Sequence, residues 1–243
     1  MLLEICANSY QSAVNAEKAG AHRIELCTEL AVGGLTPSYG LLKQTIDAVT
    51  IPIYVLIRPR SGNFTYSEAE FDIMKHDIQL CKDLGYAGIV SGVLNVDNSI
   101  DIERTQELIE LSKPLPFTFH RAFDWTPNPF EALEQLQILN IQRILTSGQA
   151  SSAEKGIEML LQLKEKSQNQ VIILPGGGIN PINASLFKSA GFTEIHASAT
   201  SIEAVSEAPK IAMNSEKFFN ETISVYSNPK IIQSILKQLQ NEV

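Results

Sequence analysis

Clusters of lysine and arginine are missing from this sequence of 243 residues, whose formal net charge is −8. A phosphate backbone is held by clustered cations, so a nucleic-acid partner is excluded. Long apolar runs are missing too. None approaches the ~20 residues that a bilayer-spanning helix needs, and no membrane partner is expected. The opening MLLEICANSY carries an acid at position 4 and no basic segment, so no secretory leader is expected. Cysteine is scarce: three residues, an odd number without the spacing of a disulfide framework. That usage suits a reducing compartment, and the expected location is the cytoplasm. No glycine fingerprint follows the first strand candidate, so no nucleotide cofactor is expected. Neither CxxC nor HxxxH spacing occurs, which argues against a structural zinc site.

What is present is a repeat of one pattern. A hydrophobic fraction of 44% and a charged fraction of 19% describe an ordinary protein with a sizeable core. Short apolar or β-branched stretches (LLEICAN, RIELCTE, IPIYVLIRP, GIVSGVL, PFTFHRAFD, RILTSG, VIILPGGG, EIHASA) alternate with amphipathic ones. Helical stretches include SYQSAVNAEKAG and SEAEFDIMKHDIQLCKDLG, each closing on the glycine that a left-handed C-terminal cap favours. Eight such strands, each followed by a helix, predict a parallel sheet closed into a (β/α)₈ TIM barrel. There is no linker and no shift of composition, so residues 1–243 read as one domain. The stretch 201–227 is long for a connection between the eighth strand and the last helix, and it is expected to be a long loop.

In such a barrel the C-terminal ends of the strands carry the chemistry, and alternation sorts inward from outward side chains. Leu3, Ile5 and Ala7 form the helix-facing set of the first strand, leaving Glu4 and Cys6 inward; Glu25 and Cys27 follow on the second. Arg58 is inward at the end of the third strand, with Arg60 just beyond. His120 is inward on the fifth; Glu194, His196 and Ser198 are inward on the eighth. Burying several ionisable groups is costly unless they pair or act, and these converge on one mouth. Glu25, Arg58, His120 and Asp124 are the candidate catalytic set, with His120 or Glu25 moving a proton. Arg121 has the opposite parity to His120, so Asp124, three residues on, is expected to pair with or orient one of these cations.

Two further features suggest ligands. Cys6 and Cys27 occupy matching positions on neighbouring strands, each two residues after an inward glutamate (EIC, ELC). Two thiolates so placed could hold a soft ion such as Cu(I), although buried free cysteine also packs as a small hydrophobe. Gly176, Gly177 and Gly178 close the seventh strand ahead of a helix start expected at Asn180–Pro181, a setting for an anion. Ser147 and Ser198 add hydroxyls in the same sector. With Arg60, Arg121 and His196 they form the candidate binding set for a small anionic ligand.

RIELCTELAVGGLTPSYG, IRPRSGNFTYSEAE, TFHRAFD, ILTSGQ and PGGGIN followed by EIHASA resemble the CutC copper-homeostasis family, over about residues 2–200. The resemblance implies a cytoplasmic (β/α)₈ barrel, a homodimer or homotetramer, associated with copper. It implies Cu(I) binding through a cysteine pair, at the positions of Cys6 and Cys27. Two functions are therefore in view: a copper-binding protein, or a lyase or isomerase acting on a small anionic or phosphorylated metabolite.

Overall fold

The computed structural model describes residues 1–204, 210, 211, 213 and 222–240. Eight parallel strands build the wall: β1 (Leu2–Ala7), β2 (Arg23–Leu26), β3 (Ile53–Leu56), β4 (Gly88–Ser91), β5 (Phe117–Phe119), β6 (Arg143–Thr146), β7 (Ile172–Pro175) and β8 (Glu194–Ala197). They neighbour one another in chain order, β1 also pairs with β8, and a parallel bridge between Gly176 and His196 brings β7 to β8. The result is the eight-stranded barrel that the alternation predicts. Around it run α1 (Tyr10–Ala19), α2 (Tyr39–Ile46), α3 (Glu68–Leu84), α4 (Ile102–Ser112), α5 (Pro129–Ile138), α6 (Ile157–Ser167), α7 (Ala184–Ser189) and α8 (Pro229–Gln240).

Local chemistry sets these boundaries. Ser67 and Glu70 form a reciprocal capping box at the start of α3, and Gly85 ends it in the left-handed conformation. Between them Phe71, Met74, Ile78 and Cys81 recur at helical spacing and are buried against the barrel. No helix among the described residues is long and apolar enough to cross a membrane.

The main apolar core fills the layer between strands and helices, with Leu3, Ile5, Ile24, Leu26, Ile89 and Phe119 on the outer faces of the strands. Inside the barrel the apolar cluster is small: Cys6, Cys27, Tyr54, Leu56 and Val90. Charge fills the space beside it. Arg23 binds Glu4 and, at 2.5 Å, Glu194; Arg143 Nε reaches the same Glu194 carboxylate at 2.7 Å. Both guanidinium groups lie over the Tyr54 ring, 4.9 and 5.3 Å from its centroid, and Arg143 also donates to the Tyr54 hydroxyl. Ions that deep are tolerated because each finds opposite charge and hydrogen bonds.

Two expectations need correction. The stretch 201–227 is not simply a loop: β9 (Thr200–Ala204) and β10 (Ile223–Ser227) pair as an antiparallel ribbon. Asn8 Nδ2 donates to the Val225 carbonyl at 3.1 Å, and Ser227 N donates to Ser12 Oγ at 3.0 Å, so barrel hydrogen bonds hold the ribbon's second strand. Residues 205–209, 212 and 214–221 of this stretch lie outside the described residues. The second correction concerns α7, which begins at Ala184 rather than at Asn180–Pro181. Asn180 N is taken up by Asn183 Oδ1 at 2.8 Å, so the residues after the glycine run make a turn before any helix begins. The helix N-terminus is therefore not at the glycines.

Candidate functional site

A cavity of about 360 Å³ opens at the C-terminal ends of the strands. Cys6, Glu25, Arg58, His120, Arg121 and His196 line it, together with Gly177, Gly178 and Ser198. Each strand delivers its side chain by parity: β1 carries Cys6, β2 Glu25, β8 His196, while Arg58 and His120 stand just past β3 and β5. Leu30, Leu56, Phe64 and Trp125 add an apolar wall.

One side of the cavity is built of sulfur and nitrogen. Cys6 Sγ and Cys27 Sγ are 3.5 Å apart, both free and buried, and Cys6 Sγ lies 3.7 Å from Glu25 Oε1. Cys6, Glu25 and His196 each offer one ligand atom, all within 4.8 Å of one another. His196 Nδ1 is 2.7 Å from Glu4 Oε1. Burial pushes the Glu4 carboxyl up, but Arg23 and His196 outweigh it and hold it at about 2. The carboxylate can then only accept, so Nδ1 carries the hydrogen and Nε2 is the nitrogen presented towards Cys6. Burial opposes charge on His196; Glu25, the Cys6 sulfur and Glu4 prevail and raise its pKa well above the ordinary value. Hydrogen bonding to Cys27 and burial keep the Cys6 thiol protonated. Two soft sulfurs and an imidazole held by a carboxylate behind it suit a soft, low-coordinate metal ion, which would displace the protons of Cys6 and His196 Nε2.

The other side is built of hydrogen-bond donors. His120 Nδ1 accepts from the backbone N–H of Ala122 at 3.2 Å. Burial, reinforced by Arg58, lowers its pKa to about 3, so the ring is neutral and its proton sits on Nε2. A side chain at Gly92 would collide with this imidazole, a Cβ there falling 2.8 Å from the ring. Arg58 gives Nη1 to the carbonyls of Val32 and Gly34 and Nη2 to that of Gly62, tying the β2–α2 and β3–α3 loops together. Burial also pushes Glu25 up to about 7, with His196 opposing and Glu4 assisting. Glu25 Oε2, Arg58 Nε and His120 Nε2 are buried without a hydrogen-bond partner.

Five sequence candidates stand off the cavity wall, and Cys27 is one of them, fully buried beside Cys6. Arg60 turns away: its guanidinium binds Glu70 at 2.5 Å and the carbonyls of Ser61, Asn63 and Thr65, and lies over Tyr66. It organises the β3–α3 loop and does not line the cavity. Asp124 accepts from Arg121 Nε, Thr146 Oγ1, Ser147 N and Oγ, and Gln149 N. As expected, its carboxylate pairs with the neighbouring cation Arg121, and it also anchors the β6–α6 loop. Ser147 bridges Asp124 and the Ala150 carbonyl and accepts from Arg121 Nη2 at 2.9 Å. Gly176 lies behind the wall, where a Cβ would strike Leu145 at 2.5 Å. Arg121 does reach the cavity, leaning on Gly177, where a Cβ would sit 3.3 Å from Nη1.

Arg23 and Arg143, which complete the charges under the site, escaped sequence reasoning. Arg23 shares the parity of Glu25 and Cys27, and Arg143 that of Leu145, so strand alternation carried the signal for both.

Many known proteins are similar to this chain. The CutC family profile matches residues 1–201. A family protein CutC from Proteus mirabilis is 50% identical over 197 residues, covering 81% of this chain and 78% of that one. The chain belongs to the CutC family. A human family member, named copper homeostasis protein cutC homolog, is 47% identical over 201 residues, 82% of this chain and 74% of its own. The crystal structure of a CutC from Streptococcus agalactiae, titled a putative copper homeostasis protein, superposes with a TM-score of 0.77 at 35% identity. It covers 82% of this chain and 98% of its own. A thiamine phosphate pyrophosphorylase from Pyrococcus furiosus shares the fold alone, at 14% identity and a TM-score of 0.61. The family match ends where β9 begins, so most of the β9–β10 ribbon and all of α8 lie outside it.

Proposed function

We propose that this CutC-family chain takes up Cu(I) between Cys6 and Cys27, with His196 Nε2 as a third donor, in the cytoplasm. The observation that carries the reading is the thiol pair, 3.5 Å apart on two rigid neighbouring strands and reduced. The human relative is named a copper homeostasis protein, and the ligand chemistry here agrees with a soft ion. A hard cation would want oxygen ligands, and among the described residues the carboxylate grouped with Cys6 and His196 is Glu25 alone. Glu4 acts from behind, fixing the His196 ring through Nδ1.

The test is a competition titration of Cu(I) against a chromophoric chelator. Replacing both cysteines (Cys6→Ser with Cys27→Ser) is expected to reduce affinity to that of a generic exposed thiol. Glu4→Gln keeps every proposed metal donor but removes the orienting charge, and is expected to weaken binding about 10- to 100-fold. Unchanged affinity in the double cysteine variant removes the sulfur ligands from the account.

A further inference from the structure

The copper reading leaves the opposite wall of the cavity unused. There, Arg58 and His120 are each 5% exposed; His120 Nε2 has no partner, and Arg58 interacts with the neutral Tyr66 hydroxyl. Both pack on one ring: the Arg58 guanidinium carbon lies 4.8 Å from the Phe64 centroid and the His120 imidazole 4.9 Å from it. Arg58 has no carboxylate partner among the described residues, since its two Nη atoms are spent on backbone carbonyls. A buried cation without a counter-ion, beside a buried neutral donor, is costly to keep. Arg121, half-exposed on the same cavity, is paired with Asp124 through Nε and leaves Nη1 beside Gly177.

We propose that this wall is a binding site for a small carboxylate carrying a neutral oxygen on the adjacent carbon, of which a 2-oxo acid is the type. The carboxylate takes the charge of Arg58 and Arg121, and the neutral oxygen accepts from His120 Nε2–H. Pairing a charged donor with an uncharged one selects a ligand that pairs an anionic oxygen with an uncharged one. Leu30, Leu56 and Phe64 receive its carbon body. Phe64 is the residue that senses entry, because its ring packs against both donors. Its ring meets Trp125 edge-on at 5.0 Å, and Trp125 is the sole tryptophan of the chain. Ligand entry is therefore reported by tryptophan emission. The site does not depend on the thiols, and it gives the barrel mouth a second class of ligand beside the metal.

The experiment titrates the full-length protein with pyruvate, lactate, acetate and inorganic phosphate while following Trp125 fluorescence. Pyruvate or lactate is expected to give a saturable change with a Kd below about 1 mM. Acetate, lacking the second oxygen, is expected to bind about 10-fold more weakly or worse, and His120→Phe to cost about the same factor for pyruvate. A measurement on the unmutated protein guards against misfolding of that variant: the ¹⁵N resonance of His120 Nε2 is expected to shift on saturation with pyruvate. No saturable binding of pyruvate or lactate overturns the proposal. So does an acetate or phosphate affinity equal to theirs, or a His120 Nε2 resonance that stays in place.

Discussion

At the scale of single residues, the site depends on which protons burial allows. His120 is the plainest case. Its pKa falls from 6.5 to about 3 on folding, so between those values the unfolded chain binds a proton that the native state refuses. Stability therefore rises with pH across this window, and the contribution of His120 is lost as pH falls below 6.5. Between pH 7 and pH 5 the protein is expected to lose about 2 kcal/mol that His120→Gln, which has no titrating ring, does not lose. Urea unfolding of both proteins at the two pH values checks this; parallel losses would mean that the imidazole is not held neutral. Glu4 shows the opposite logic. Arg23 and His196 hold its carboxylate ionised despite full burial, and that ionised oxygen is what turns His196 Nε2 towards the sulfurs.

At the scale of elements, the loops after the strands decide which side chains reach the cavity. Alternation along the strands placed Cys6, Glu25, Cys27, His120 and His196 correctly inside, because parity is a property of extended chain. It had no authority over Arg60 or Asp124, which stand beyond their strand ends, where the backbone turns. Asp124 lies in the short helical turn Arg121–Trp125 and anchors the β6–α6 loop through the Thr146, Ser147 and Gln149 donors. Asp124→Ala leaves those buried donors unpaired and is expected to cost about 2–4 kcal/mol in urea unfolding. The same loop is pinned by two glycines in contact. A Cβ on Gly156 would fall 1.9 Å from the Ser147 carbonyl oxygen, and that atom cannot move without breaking the Asp124 network. Gly156→Ala is expected to destabilise the protein by roughly 2 kcal/mol or more. A smaller loss in either variant would show that the loop rearranges freely, and Arg121 would then lack a fixed position at the mouth.

At the scale of the whole molecule, the barrel separates two jobs. The helix-facing layer carries the apolar core, and the interior carries charge that a barrel of valine and leucine would not tolerate. That architecture was legible in the eight-fold alternation of apolar strands and amphipathic helices, and the inward glutamates and histidines marked the barrel mouth as the candidate site. The Arg23 and Arg143 partners were not read, because each opens its strand and looks like a boundary residue until parity is counted backwards from Glu25 and Leu145. The β9–β10 ribbon was hidden for another reason. Its pairing spans the stretch 205–222, a separation across which no local pattern announces a partner.

The central claim is that β1, β2 and β8 bring two sulfurs and one nitrogen together for a single Cu(I). X-ray absorption at the copper edge of the Cu(I)-loaded protein reads this most directly. Two sulfur scatterers and one imidazole nitrogen are expected, falling to one sulfur in Cys27→Ser. A spectrum without sulfur, or one that Cys27→Ser leaves unchanged, would contradict the account.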